Sequence, residues 1–334
     1  MNTDYDVIII GAGPAGASCA KHLVDNGVKT LVVEKKKLPR YKACGGLLSE
    51  RSLKFINEHY WNIPNNLICK NNKVNIKISK KGNSFLEINQ DWVSIKRHLF
   101  DYWLITESKA ELKEETFYFN HLIENNIITV SFKKNNKVLN LKCKYLIGAD
   151  GGNSFVRRRL DKNYITKNFL YYKQEIYEGN STIDPKYYYF LLDKKYTDMF
   201  ACFCVKDDLI YIGTMFKINN KNNNFQNNVL EKVKKIFNLE IKKIIRTESC
   251  LLDVSPKENR FNFGANNILL IGESAGLMTY FGEGISSSLI SGRSAANSII
   301  SSIKTNQNAL NLYEEDIQKE KIILLNTFKL EETK

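Results

Sequence analysis

Histidine is scarce in this 334-residue chain, and the four present, His22, His59, His98 and His121, fall in no pattern that a metal centre or a Ser-His-Asp triad would need. His22 lies on a helix pattern and His98 follows Arg97, so both read as structural, and His59 and His121 stand in segments without a site signature. No metal ligand set is expected. The seven cysteines are odd in number and irregularly spaced, which excludes a disulfide scaffold. Cys202 and Cys204, two apart in the strand-like run MFACFCV, share one face and read as small apolar core residues. No apolar run approaches the roughly 18 residues of a spanning helix. Asp4 and Asp6 stand where a signal peptide would carry basic residues. The expectation is a cytoplasmic protein, with peripheral contact to a membrane surface left open. No internal repeat is evident.

What the chain does have is positive charge, +13 in formal terms. The lysines recur with asparagine in surface-like stretches such as KNNKVNIKISKKGN and are spread along the chain. That pattern argues against nucleic acid as a partner and suits an anionic substrate or an acidic membrane surface.

The first fifty residues carry the clearest chemistry. YDVIII, residues 5–10, reads as a buried strand. GAGPAG follows, placing Gly11, Gly13 and Gly16 in a G-x-G-x-x-G pattern with Pro14 and Ala15 between. A helix pattern then runs to Gly27, its expected C-cap, and a second strand, KTLVVEK, carries Glu34 and Lys35. Glu34 stands 18 positions after Gly16, near the spacing expected for an acid that accepts from a ribose hydroxyl. Gly11 permits the tight turn, Gly13 the approach of a pyrophosphate, and Gly16 close packing of helix on strand. The helix N-terminus offers free N–H groups to phosphates. The acid disfavours a 2′-phosphate, which leaves NAD or FAD.

Two further strand ends repeat this logic. YLIGADGGNSFVRRRL ends a strand in Asp150-Gly151 and sets Ser154 and Arg157 on one face of a helix. NILLIGESAGLMTYFGEGISSSLI ends a strand in Gly272-Glu273 and reaches Gly282-Glu283-Gly284-Ile285 before a long helix. One extended ligand lying across the carboxyl ends of one sheet accounts for all three. No second G-x-G-x-x-G is present, so no separate nicotinamide domain is expected.

On these residues the sequence resembles the flavoproteins of the p-hydroxybenzoate hydroxylase fold, and within them the geranylgeranyl reductase family. The resemblance rests on the first fingerprint with Glu34, on Asp150-Gly151 with Ser154 and Arg157, and on Gly282 to Ile285. It also rests on Pro39 to Gly46, PRYKACGG, and on the segment of Arg97. The family's late Gly-Asp appears here as Gly272-Glu273, one methylene longer. The resemblance implies an α/β fold: a Rossmann-type FAD-binding domain with an inserted mixed, largely antiparallel β-sheet substrate domain. The FAD-binding domain is expected over 1–72, 96–165 and 256–330, and the substrate domain over 73–95 and 166–255.

The resemblance further implies FAD as cofactor and places Arg97, Cys44, Gly45 and Gly46 beside the flavin ring. It implies reduction of a carbon–carbon double bond in a small apolar or amphipathic, isoprenoid-like or lipid substrate. Electrons would come from NAD(P)H docking transiently or from a protein donor. Cys44 would give a proton to a substrate carbon, tune the flavin or fill space; Arg40 and Lys42 are the cations expected to lower its pKa. Tyr280 and Glu283 are the other donor candidates, although Glu283 also reads as a helix-start acid. An FAD-dependent monooxygenase or hydroxylase of an aromatic substrate and a flavin- or nucleotide-binding protein without a redox substrate remain as alternatives.

Overall fold

The structure, a computed structural model, describes residues 2–81, 83–161, 169–218, 220, 224–254, 258–279 and 281–332. The β-branched run at the start forms β1 (Tyr5–Ile10), buried along nearly its whole length as a central parallel strand must be. Gly13 is the N-cap of α1 (Pro14–Val24), with Pro14 preset for its first turn. Asp25, not Gly27, is the C-cap; Gly27, left-handed at φ +73°, then turns the chain into β2 (Thr30–Val33). Next come β3 (Leu47–Leu48), α2 (Glu50–His59), β4 (Ile68–Ser79), β5 (Leu86–Ile95), α3 (Arg97–Glu107) and β6 (Glu111–Lys113). Three longer strands follow, β7 (Phe117–Glu124), β8 (Ile127–Lys134) and β9 (Lys137–Gly148), then the short α4 (Phe155–Leu160). The middle of the chain supplies β10 (Phe169–Asn180), β11 (Tyr187–Leu191), β12 (Ala201–Lys206), β13 (Leu209–Lys217), α5 (Phe225–Phe237) and β14 (Glu240–Asp253). The last part holds β15 (Gly264–Ala265), β16 (Ile268–Leu270), α6 (Ile285–Thr305), α7 (Ala309–Asp316) and α8 (Gln318–Glu332). The segment after α6 thus forms two helices, divided at Ile317.

These elements form two compact units. The first, Met1–Arg40, His98–Asn168 and Asp253–Lys334, is built on the sheet order β15-β16-β9-β1-β2-β6, with β7 and β8 joined antiparallel to β9. The pairs around β1, β1–β2 and β1–β9, are parallel, as are β9–β16 and β2–β6. This aligns the ends of β1, β2, β9 and β16, where the three acid-and-glycine segments begin. α1 packs on α6 at Gly292, where a Cβ would lie 2.4 Å from the Ala15 carbonyl oxygen.

The second unit, Tyr41–Arg97 and Phe169–Leu252, has the order β14-β10-β13-β12-β11-β4-β5-β3. Its pairing is largely antiparallel, and β11 with β4 is parallel, so the sheet is mixed. Strand alternation divides its faces. Tyr189, Ala201, Phe203, Ile210 and Ile212 pack with Val229 and Val233 of α5. The opposite alternation carries Tyr172, Tyr188 and Cys202 toward one another. Residues 41–72, assigned by sequence to the nucleotide-binding part, belong here. β4 runs unbroken from Ile68 to Ser79 and pairs Ile68 with Ile95, so a boundary at residue 72 would cut a strand. Among the described residues, no helix is long and apolar enough to cross a membrane.

Candidate functional site

In the first unit, the glycine-rich turn is shaped by clearance. At Gly11, with φ +109°, a Cβ would lie 2.4 Å from the Ala149 carbonyl oxygen, so the turn touches the end of β9. At Gly16 a Cβ would fall 2.0 Å from the Gly11 carbonyl oxygen, which fixes α1 against β1. Gly13 differs: a Cβ there would meet only Arg40 Nη2, at 3.8 Å, so the space before the N-terminus of α1 is open to a ligand. Pro14 and Ala15 are buried in the first turn of α1, and no acidic side chain opposes an anion there.

Glu34, buried at the end of β2, accepts from the Ala12 N–H at 3.1 Å and the Lys36 N–H at 3.0 Å. Arg40 Nε lies 3.5 Å from the same carboxylate, and Arg40 Nη1 donates to the buried Asp101 at 3.3 Å. A carboxylate has about four lone-pair directions, so Glu34 retains capacity for a ribose hydroxyl. Lys35 is exposed. Arg40 and Asp101 were not read from sequence as members of this site. They are 61 positions apart, and only the fold brings them together.

The other two strand ends interlock. Asp150 accepts from Ser154 Oγ at 2.5 Å and from the N–H groups of Phe155 at 2.6 Å and Val156 at 3.3 Å. Burial raises its carboxyl above the ordinary Asp value, and these donors oppose the rise. Its observed work is to hold the start of α4. Arg157 pairs with buried Asp253 at 2.9 Å and donates to the Ser274 carbonyl at 3.4 Å, and Ser274 Oγ donates to the Gly148 carbonyl at 2.5 Å. Glu273 is half-buried over the Asp150 loop. A Cβ at Gly151 would lie 3.8 Å from its Oε2, and one at Gly152 only 2.6 Å from its Oε1. Gly272 is left-handed, and its N–H donates to Ser291 Oγ at 2.9 Å.

Glu283 accepts from both the N–H and the hydroxyl of Ser286 at 2.9 Å, at the start of α6. The helix-start role anticipated as an alternative is the one these two contacts describe. Gly282 is left-handed and exposed, Gly284 is the N-cap of α6, and Ile285 is buried behind it. Tyr280, the other donor candidate, lies outside the described residues.

The second unit holds the thiol. Cys44 Sγ is half-buried and accepts from Arg97 Nη1 at 3.2 Å and from the Gly46 N–H at 3.3 Å. Burial pushes the thiol up, but the Arg97 charge, the Gly46 N–H and Lys42 outweigh it and hold Cys44 below its ordinary value. Arg40, expected among these cations, is engaged instead with Glu34 and Asp101. Burial moves Cys19, Cys69, Cys143, Cys202 and Cys204 the other way.

The turn around Cys44 is tightly held. Lys206, itself buried, donates to the Gly45 carbonyl at 2.6 Å and the Ile95 carbonyl at 3.2 Å, and the Ile95 N–H donates to the Gly46 carbonyl at 2.8 Å. A Cβ at Gly45 would lie 2.8 Å from Tyr188 Oη. Tyr188 and Tyr172 hydroxyls reach Cys202 Sγ at 3.5 Å and 3.3 Å. Lys206 and these tyrosines escaped the sequence reading. Lys206 ends a strand pattern just before Asp207-Asp208 and reads as part of a solvated turn. Among the described residues, no cluster of metal-ligating side chains occurs.

The sequence pattern of the FAD binding domain family matches residues 4–59 and 104–251. The chain is 26% identical over 293 residues to Protein CbrA of Escherichia coli O9:H4 (strain HS), covering 85% of this chain and 78% of that one. A geranylgeranyl bacteriochlorophyll reductase-like protein of Thermoplasma acidophilum superposes with a TM-score of 0.83 at 20% identity, over 97% of this chain and 85% of that one. Aklavinone-11 hydroxylase, in a ternary complex with FAD and aklavinone, superposes with a TM-score of 0.75 at 14% identity, over 97% and 68%. The open approach at Gly13, the free N-terminus of α1 and the acceptor Glu34 fit an FAD diphosphate and ribose. With the family pattern covering more than half of its residues, the chain belongs to the FAD binding domain family and is an FAD-dependent oxidoreductase.

Proposed function

We propose that this flavoprotein reduces carbon–carbon double bonds in an apolar or amphipathic, isoprenoid-like or lipid substrate, with electrons from transiently docked NAD(P)H or a protein donor. One observation carries the reading: Cys44, in the Cys-Gly-Gly turn, is held by two donors that stabilise its deprotonated form. Reducing an alkene needs a hydride at one carbon and a proton at the other. FAD, when bound and reduced, supplies the hydride. Cys44 supplies the proton, its pKa drawn down toward the working range where general acids are effective. The fold likeness to the reductase-like protein is in keeping with this choice. Gly11, Gly13, Gly16, Glu34 and Arg40 would hold the diphosphate and ribose. Glu273 would meet the ribityl chain, and Gly282 to Ile285 would border the ring. The chain's positive charge suits a diphosphate-bearing substrate or work at an anionic membrane surface in the cytoplasm.

The test is anaerobic. The purified protein is reduced with dithionite, freed of excess reductant, and mixed with polyprenyl or quinone substrates while the visible flavin bands are followed. Return of the oxidised spectrum without oxygen, with a saturated product, is expected. Turnover that requires oxygen and places oxygen in the product would replace this reading with a monooxygenase. Failure to bind or reduce flavin would leave a nucleotide-binding protein without redox work.

A further inference from the structure

We propose that Arg97 is a positioning residue for Cys44, forming with the Gly46 N–H a binding site for the negative charge left on sulfur when the thiol gives up its proton. This rests on Cys44 being the proton donor. The sequence resemblance places Arg97 and Cys44 alike beside the flavin ring; the contact between them adds a task for the arginine. Arg97 Nη1 and the Gly46 N–H converge on the same sulfur, at 3.2 Å and 3.3 Å. Hydrogen bonds of this kind strengthen when the acceptor is ionised.

The backbone shows why both donors arrive together. Gly46 has φ +65°, and a Cβ there would lie 2.6 Å from both the Ile95 carbonyl oxygen and Lys206 Nζ, so only glycine lets the turn close on the end of β5. The Ile95 N–H and Lys206 lock that closure. Arg97 follows Ile95 by two positions, so the strand end that pins the turn also delivers the guanidinium.

Other groups that act electrostatically in this region are Lys42 on the turn itself, Tyr172 of β10, Cys202 of β12 and Cys250 of β14, whose thiol donates to the Ala43 carbonyl at 3.6 Å. Burial raises Tyr172, Tyr188 and Cys202, so none of them competes as an acid. The step balances simply. The Cys44 S–H bond breaks, a C–H bond forms at one alkene carbon, and sulfur keeps the electron pair. The other carbon takes the hydride from reduced flavin, and the thiolate recovers a proton from solvent.

The experiment reads the sulfur directly. Iodoacetamide alkylation of Cys44 in the FAD-loaded protein is followed by peptide mass mapping across neutral to alkaline pH, for wild type, Arg97→Met and Arg97→Lys. The wild-type midpoint is expected below the ordinary value of 9.0. Arg97→Met should move it up and slow alkylation at neutral pH about tenfold for each unit of the move, with Arg97→Lys between. A wild-type midpoint at or above the ordinary value, no alkylation at any pH, or an Arg97→Met curve lying on the wild-type curve would overturn the assignment. Should Arg97→Met not fold, Arg97→Lys and the wild-type curve decide alone. Substrate-driven reoxidation of the reduced protein is read separately. Its absence ends the reductase reading without altering the alkylation curve.

Discussion

Glu273 and Gly152 are fitted to each other: a Cβ on Gly152 would come within 2.6 Å of Glu273 Oε1 and 3.2 Å of the Asp253 backbone nitrogen. The glutamate is one methylene longer than the aspartate that the related sequence pattern leads one to expect, and the bare backbone at 152 gives that length somewhere to go. Gly152→Ala should displace the carboxylate and weaken FAD binding. Glu273→Asp should tolerate the alanine better. A double-mutant cycle on FAD affinity is expected to show about 1 kcal/mol of coupling. Strictly additive effects would mean that the two residues do not share the space.

The glycines of the first turn separate by what surrounds them. Gly16→Val drives a side chain into the Gly11 carbonyl and should lower the melting temperature along with cofactor content. Gly13→Val enters open space, so its melting temperature without FAD should stay near wild type, while FAD binding falls at least tenfold, about 1.4 kcal/mol. Full cofactor content in Gly13→Val would show that the diphosphate does not approach there.

Lys206 should matter to the thiol without touching it. Lys206→Met removes charged donors from the Gly45 and Ile95 carbonyls and should cost about 2 kcal/mol of unfolding free energy. It should also loosen the turn, which slows substrate-driven reoxidation and broadens the pH profile of Cys44 alkylation. Unchanged Cys44 alkylation in a destabilised Lys206→Met protein would confine Lys206 to a structural part.

The fingerprint, the strand ends and the mixed sheet were legible because each is written locally. The glycine spacing sets the turn, and runs such as LIYIGTMF are short and rich in aromatic and β-branched residues. The boundary at residue 72 was misplaced because the first part of β4, ICKNN, is polar and resembles a linker; its pairing with Ile95 makes it strand. Arg40 was assigned to the thiol by its nearness in sequence, whereas the buried carboxylates of Glu34 and Asp101 hold its charge. Asp150 was read as a cofactor ligand and Glu283 as an acid or a helix-start residue; in the structure local N–H groups and hydroxyls donate to both carboxylates. A motif fixes which residue type is present; the nearest donor decides what it does.

The pH dependence follows from the lowered thiol. As a general acid, Cys44 works only while protonated, so the rate of substrate-driven reoxidation should fall as pH rises through its folded-state value, which lies below 9.0. Its contribution to stability runs the opposite way. A depressed acid stabilises the fold fully above its unfolded value, and that stabilisation is lost as pH falls through the folded one. Cys44→Ala should lower the rate about 100-fold and flatten this alkaline limb. Arg97→Met should keep the limb and move it to higher pH, because the thiol remains while its charge partner is gone. A limb of unchanged position and height in Cys44→Ala would mean that another group, or solvent, delivers the proton. The lowered thiol would then serve only to set the charge of its own turn.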